Sequence, residues 1–278
     1  MASNLGLQGY QRFNSGGNEP SRNNGDTKYK NPLGSKTETS NKGLEEMIQS
    51  VRLVSFSKSS EDFSEELKDC QDLISFCARV SNPSNQLNTE TTEKLLEYMI
   101  KHKHWSPFEM ASACLEITTT RDIGRQILRH RSFSFQEFSQ RYADPVKELE
   151  FTTREARLQD PKNRQNSIEI ENDPSIQEDP AKQELISEWS QKQAGITKLA
   201  TDAYRWAIEN NIAKEQARAV LPEGLTVSRM YMNGTLRSWI HYIELRTEAG
   251  TQKEHREIAK NCGLVIAKIL PMISKTSY

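Results

Sequence analysis

The sequence predicts an α+β fold. Apolar residues recur mostly at helical spacing, strand-like runs are few, and those runs do not alternate regularly with helices as a doubly wound sheet requires. In chain order, Arg52-Leu53-Val54-Ser55-Phe56-Ser57 has strand character. Asp69 to Val80 carries Leu73, Ile74, Cys77 and Val80 at helical spacing, and Thr91 to Lys101 repeats the pattern with Leu95, Leu96, Tyr98, Met99 and Ile100. Lys101-His102-Lys103-His104 closes that second helix, where cations complement exposed carbonyls. Ser106-Pro107-Phe108-Glu109 reads as a loop or helix start and Ala113 to Thr119 as a strand. A helix then runs from Arg121 into Arg129-His130-Arg131.

Thr152 to Pro180 is polar, charged and broken by Pro161 and Pro174, the character of a surface excursion rather than core. Pro180 suits the first turn of a long helix with an apolar stripe of Leu185, Trp189, Ile196, Leu199, Ala203 and Ala207. A helix from Lys214 to Leu221 stops at Pro222, and Thr226 to Asn233 is strand-like. Thr235 is placed to cap a helix that buries Leu236, Trp239, Ile240 and Ile243, with Arg237, His241 and Glu244 on its other side. The last helix, Glu254 to Ile269, packs through Ile258, Cys262, Val265, Ile266 and Ile269.

Composition narrows the function. Lys+Arg is 37 against Asp+Glu 38, so the basic excess of a non-specific nucleic-acid binder is missing, and anion recognition has to come from local clusters. The four cysteines (Cys70, Cys77, Cys114, Cys262) are scattered without a CxxC pair, which fits reduced thiols in the cytoplasm. No apolar run approaches the roughly 20 residues that span a bilayer. Residues 1–45 are rich in Asn, Gly, Ser, Lys and Thr with almost no aliphatics, and are expected to be a disordered polar tail; Glu19, Asp26 and Glu38 argue against a transit peptide.

The chemistry concentrates after the strand at Ala113 to Thr119. Arg121, Arg125 and Arg129 recur at i, i+4, i+8, opposite Ile123 and Ile127. Asp122 and Glu116 are the only nearby acids in sequence and are poorly placed to neutralise all three; a salt-bridged helix face and an anion site both remain open for the Arg row alone. The continuation, Arg129 to Arg141, interleaves Phe133, Phe135 and Phe138 with Ser132, Ser134, Gln136, Glu137, Ser139 and Gln140. Such a run implies a structured loop whose polar groups face a ligand, with Arg forks and hydroxyls for phosphate and Gln and Glu for a polar ring edge. An Arg-plus-aromatic run can also stack single-stranded nucleic acid, against which the neutral overall charge argues. His102 and His104 lack a third ligand at metal spacing, and no His–acid relay flanks Ser139 as a nucleophile.

Arg129-His130-Arg131, seven further residues, then Ser139-Gln140-Arg141 resembles the signature of the flavin-dependent thymidylate synthases. The likeness extends from Leu53 to the last helix. Cys77-Ala78-Arg79-Val80-Ser81, His102 to Glu109, Ala217-Arg218-Ala219-Val220-Leu221-Pro222, Leu236-Arg237-Ser238 and Glu244-Leu245-Arg246 all resemble family segments. The resemblance implies a single domain over residues 46–278, with a small antiparallel sheet, flanking helices and a helical subdomain. It implies methylation of dUMP to dTMP with 5,10-methylenetetrahydrofolate as carbon donor, FAD as redox cofactor and NADPH or NADH as reductant, in a homotetramer with sites at subunit interfaces.

By the same resemblance, dUMP is contacted by Gln126, Ile127, Leu128, Arg129, Glu137, Phe138, Ser139, Gln140, Arg141 and Arg218. Arg246 activates the uracil ring; its alternative is a cation satisfying helix C-terminal carbonyls. FAD is contacted by Ser81, Ser106, Arg129, His130, Arg131, Glu137, Thr235, Leu236, Arg237 and His241, with His104 near the flavin ring and folate. Arg237 and His241 share one helical face and can reach one ligand together; for His241 a local structural bond is the alternative. No metal site and no cysteine nucleophile is expected. Gln136, Thr235, His241 and Gly250 depart from the commonest family residues, all on the flavin side. Two other classes stay open: a nucleotide- or single-strand-binding module without catalysis, and a flavin-dependent NADPH oxidase that has lost synthase activity.

Overall fold

The computed structural model describes residues 50–170 and 179–275. The polar tail expected at 1–45 and residues 171–178 of the excursion lie outside the described residues. In chain order the described strands are β1 (Val51–Phe56), β2 (Ser112–Thr120), β3 (Ser134–Glu137), β4 (Arg157–Gln159), β5 (Ser167–Glu169) and β6 (Val227–Thr235). The helices are α1 (Cys70–Ala78), α2 (Thr92–Lys101), α3 (Arg121–Ile127), α4 (Pro145–Glu148), α5 (Pro180–Glu209), α6 (Lys214–Ala217), α7 (Leu236–Thr247) and α8 (Lys253–Ile266).

The centre is a four-stranded antiparallel sheet in the order β1-β2-β6-β3. β2 and β6 pair over their full length, from Ser112↔Thr235 to Thr120↔Val227, so both strands hand directly into a helix. One sheet face presents Ala113, Leu115 and Ile117 with Met230 and Met232, all buried, and α7 and α8 pack there through Trp239, Ile243, Ile258 and Cys262. Each of the larger side chains among them, such as Leu115, Ile117 and Met230, contributes roughly 1.5–3 kcal/mol by leaving water. The α+β class read from the sequence is the observed one.

Local chemistry starts the helices. The Asp69 carboxylate accepts from Gln71 N at 2.8 Å and Asp72 N at 2.9 Å, satisfying two orphan donors of α1. Thr235 caps α7 through Ser238 N, as expected. Asp179 caps α5 with Pro180 at its first position.

Four readings change. The helix beginning at Arg121 ends at Ile127, before the Arg-His-Arg triplet, because the chain must turn to seat Phe133 against Trp239 (4.8 Å) and Tyr242 (5.9 Å). The run after it is not all loop: Ser134 to Glu137 is the edge strand β3, held on β6. Val80 is exposed, because α1 ends at Ala78 and takes it off the apolar face. On α5, Leu185, Trp189, Ile196, Leu199 and Ala203 are exposed and only Ala207 of the expected stripe is buried; Gln193, Ala200 and Tyr204 line the packed face instead. Gln193 earns its burial by pairing with the backbone, accepting from Arg154 N (2.7 Å) and donating to Arg154 O (2.9 Å).

The excursion is built rather than loose over its described part. β4 and β5 form a hairpin, Ile170 behind it is buried, and charges tie it to the core. Arg154 meets Asp122 at 2.8 Å and Glu254 at 3.1 Å, Arg157 meets Glu254, and Lys253 reaches Glu155 (2.9 Å) and Glu169 (3.0 Å).

Candidate active site

The predicted residues gather in three places. The first lies where α3 ends against α7 and α8. Arg129 and Arg131 are exposed while His130 turns inward, because Phe133 pulls the following turn into the core. The His130 ring packs edge-on to Tyr242 at 4.9 Å, and Arg246 Nε donates to His130 Nε2 at 2.9 Å. Burial, then the Arg246 and Arg129 cations, push the His130 pKa down to about 4. A neutral imidazole with Nε2 accepting therefore carries its proton on Nδ1. Because the bond uses Nε, the two Nη groups of Arg246 remain for an anionic ligand. Gln126, one residue before the end of α3, hydrogen-bonds His255 and Gln252 at the same junction. Ile127 is fully buried and Leu128 half-buried at this helix end, so the two serve as packing beneath the ligand-facing groups.

The second place is the start of α7 against the 3-10 turn Ser106–Met110. Arg237 Nη1 meets Glu109 Oε1 at 2.5 Å, and the Thr235 hydroxyl donates to Glu109 Oε2 at 3.0 Å. The Arg237 hydrogen bond is the main cause that holds the Glu109 carboxyl below its ordinary range. His241 stands edge-on to Trp105 at 4.7 Å, so Arg237 and His241 reach the same turn, as their spacing predicted. Ser238 Oγ donates to Ser132 O at 3.3 Å, which stitches the triplet's turn to this site. His104 lies beside Tyr98 and His102 (5.8 and 6.1 Å) just before the turn. Ser81 is exposed beyond α1, a helix that packs on this turn; Leu236 is buried and supports it.

The third place follows β3. Arg141 Nε lies 3.6 Å from Glu215 Oε2, and Arg218 Nε donates to Glu215 O at 3.3 Å, so two guanidiniums converge on α6. Ser139 Oγ accepts from Arg141 N at 3.4 Å, and Phe138 N donates to Arg229 O, which fixes the turn to β6. Gln140 is buried with its Nε2 unpartnered among the described residues. Glu137 accepts from Ser228 Oγ (3.0 Å) and pairs with Arg121 (3.5 Å).

This corrects the reading of the Arg row. Arg121 and Arg125 are neutralised by Glu137 and Glu223, which are distant in sequence, while Asp122 and Glu116 serve Arg154 and Arg52. Arg129 is therefore the member of the row left at the site. Among the described residues no hydrogen bond or ion pair joins the Arg141–Arg218 pair to Arg246 within one chain.

His255 went unnoticed in the sequence, as did Glu109 as an anchor. A lone His in an amphipathic helix carries no motif signal, and only the tertiary contacts reveal it.

The family described as "Thymidylate synthase complementing protein" matches residues 62–272. A probable flavin-dependent thymidylate synthase of Paramecium bursaria Chlorella virus 1 is 45% identical over 226 residues, 81% of this chain and 97% of that protein. A flavin-dependent thymidylate synthase of Synechocystis sp. is 46% identical over 225 residues, with the same coverages of 81% and 97%. Among solved structures, a UMP/dUMP methylase, PolB of Streptomyces cacaoi with bound 5-Br dUMP, shares the fold with a TM-score of 0.60 at 24% identity, covering 81% of this chain and 93% of that one. With the Arg-His-Arg turn, the converging arginines and these relatives in hand, the chain belongs to the flavin-dependent thymidylate synthase family.

Proposed function

We propose that this protein converts dUMP to dTMP by reductive methylation, with 5,10-methylenetetrahydrofolate as carbon donor, FAD as redox cofactor and NADPH or NADH as reductant. The observation that carries this reading is the Arg246–His130 pair within a chain of this family. Arg246, oriented by a neutral acceptor, sets its Nη groups beside the uracil edge. A fixed cation in a partly dry site favours the ionised base and raises the electron density of the ring carbon that accepts the one-carbon unit.

Arg141 and Arg218 bind the substrate phosphate, which competes well with the single, half-exposed carboxylate of Glu215. Ser139 and Gln140 complete that end, while Gln126 with Ile127, Leu128 and Arg129 line the sugar and base. Glu137 and Phe138 connect the two ends along β3 and the turn that follows it.

The donor set around the Ser106–Met110 turn fits FAD. Arg237, Thr235 and Ser106 offer groups for phosphate or ring carbonyl oxygens, His241 with Trp105 forms a planar wall, and Arg129, His130 and Arg131 close it from the neighbouring turn. Ser81, Leu236 and Glu137 complete the shell, and His104 stands on the folate side. Bound flavin supplies the electron transfer that brings the carbon unit to the methyl level. No cysteine acts as nucleophile: burial pushes the Cys70 thiol up to about 12 and raises Cys77, Cys114 and Cys262, so none is a thiolate at neutral pH.

The exposed apolar residues of α5 support self-association, and the homotetramer with sites completed across subunits is what the family resemblance implies. We place the enzyme in the cytoplasm, consistent with four unpaired cysteines and with no described helix long and apolar enough to cross a membrane. Residues 1–45 are read as a tail outside one catalytic domain spanning 46–278.

Purified protein is expected to show flavin absorbance and to form dTMP from dUMP, methylenetetrahydrofolate and NADPH. Arg246→Ala should lower that rate by about 10³-fold or more with FAD retained. A colourless protein that takes up no added FAD, or NADPH oxidation without tritium release from 5-labelled dUMP, overturns the reading.

A further inference from the structure

A partly buried hydrogen-bond chain crosses the junction of α3, α7 and α8 and passes through Gln126. It runs Tyr242 Oη to His255 Nε2 (3.1 Å), His255 Nδ1 to Gln126 Oε1 (3.2 Å), Gln126 Nε2 to Gln252 Oε1 (2.8 Å), and Gln252 Nε2 to Glu254 Oε2 (2.9 Å). Its polarity follows from one end. Burial alone would raise the Glu254 carboxyl, but the Arg157 hydrogen bond and the Arg154 charge win and bring it down to about 2. Glu254 is therefore ionised, and an ionised carboxylate only accepts. Gln252 must then turn its NH2 to Glu254 and its oxygen to Gln126. Gln126 must answer with its own NH2, which leaves its oxygen for His255. His255 must carry its proton on Nδ1 and accept from the Tyr242 hydroxyl. Each step forces the next, so an amide that would otherwise have two near-equivalent orientations has one.

His255 suits this task. It is fully buried and neutral, since burial, then the Arg246 and His130 groups, push its pKa down to about 3. Gln252 is exposed on its outer side, where it helps line a cavity of about 580 Å³ between the β4–β5 hairpin and α5, together with Arg157, Arg164 and Trp189.

We propose that His255 and Gln252 are positioning residues: they clamp Gln126 so that its remaining amide N–H, rather than its oxygen, faces an acceptor oxygen of the nucleotide. The inference rests on the dUMP reading above and deepens it. The hairpin, through Arg157 and Glu254, anchors the clamp from outside the site.

Two variants of similar size separate the clamp from simple packing. In His255→Asn the side-chain NH2 stands near the position of Nδ1 and can still donate to Gln126. In His255→Gln the amide reaches toward Nε2 and Tyr242, leaving Gln126 unclamped. With FAD-loaded enzyme, His255→Asn is expected to keep KM for dUMP within about twofold of wild type. His255→Gln is expected to raise it about tenfold, the effect of one hydrogen bond, with kcat changed far less and both variants melting alike. Gln252→Ala, at an exposed position whose melting is compared with wild type, is expected to raise KM similarly to His255→Gln. Equal KM for both His255 variants, or an unchanged KM in Gln252→Ala, overturns the clamp. Calorimetric dUMP binding gives the same comparison independently of turnover: wild type that binds dUMP but forms no dTMP refutes the synthase reading while the clamp is still tested, and wild type that binds no dUMP refutes both.

Discussion

His130 and His255 tie the site's charge state to the stability of the protein. Both are held neutral, with values near 4 and 3 against 6.5 for an unperturbed imidazole, so between those limits the unfolded chain binds protons that the folded chain refuses. Their contribution to stability is present above pH 6.5 and is lost as pH falls toward 4. Glu254, depressed to about 2 from 4.5, adds a second loss that begins only below 4.5. Denaturation midpoints measured at pH 7, 6, 5 and 4 are expected to fall steadily, and His255→Asn should flatten the slope between 6.5 and 4. An unchanged slope in that variant would assign the acid sensitivity elsewhere. The same residue scale shows what a motif can convey. Arg129, His130 and Arg131 were legible as a unit, but that His130 points inward and the two arginines outward depends on where Phe133 is seated.

At the scale of elements, the entry from β6 into α7 controls the site. Gly234 lies directly over the Phe133 ring: an added Cβ would stand 2.4 Å from its Cδ1 and 2.7 Å from its Cε1. The ring is held by Trp239 and Tyr242 and cannot retreat without moving the turn that carries His130. Gly234→Ala is therefore expected to cost about 1–3 kcal/mol, read by denaturant titration, and to weaken FAD retention by displacing the Arg-His-Arg turn. Periodicity located most of these elements, with ends shifted by a residue or two. It failed where a tertiary contact outweighs spacing, as at the end of α3 and along α5.

At the scale of the whole molecule, α5 is the helix that leaves the most large apolar side chains exposed among the described residues. Leu199 is 72% exposed and Trp206 60%, with Ile196, Trp189 and Leu185 also open on the helix, a concentration of apolar surface that a monomer seldom leaves bare. On the proposed tetramer with sites shared between subunits, Leu199→Asp is expected to shift the native mass toward smaller species in light scattering and to reduce activity in parallel. A variant of unchanged mass and activity would remove α5 from the interface. The stripe read from the sequence is thus real as a pattern, but the pattern does not say whether the covering partner is the chain's own core or another subunit.

The sequence by itself determined the α+β class, most of the helices, the three long strands of the sheet, the cap at Thr235 and the signature from Arg129 to Arg141, because these depend on residues near one another along the chain. The tertiary structure decided which acids neutralise Arg121 and Arg125, that Glu109 holds Thr235 and Arg237, and that a buried His255 fixes the polarity of Gln126. Those pairings join residues up to about 130 positions apart. Local propensity has no term for them; they exist only once the sheet brings α3, α7 and α8 to one junction and burial makes each unpaired polar group costly.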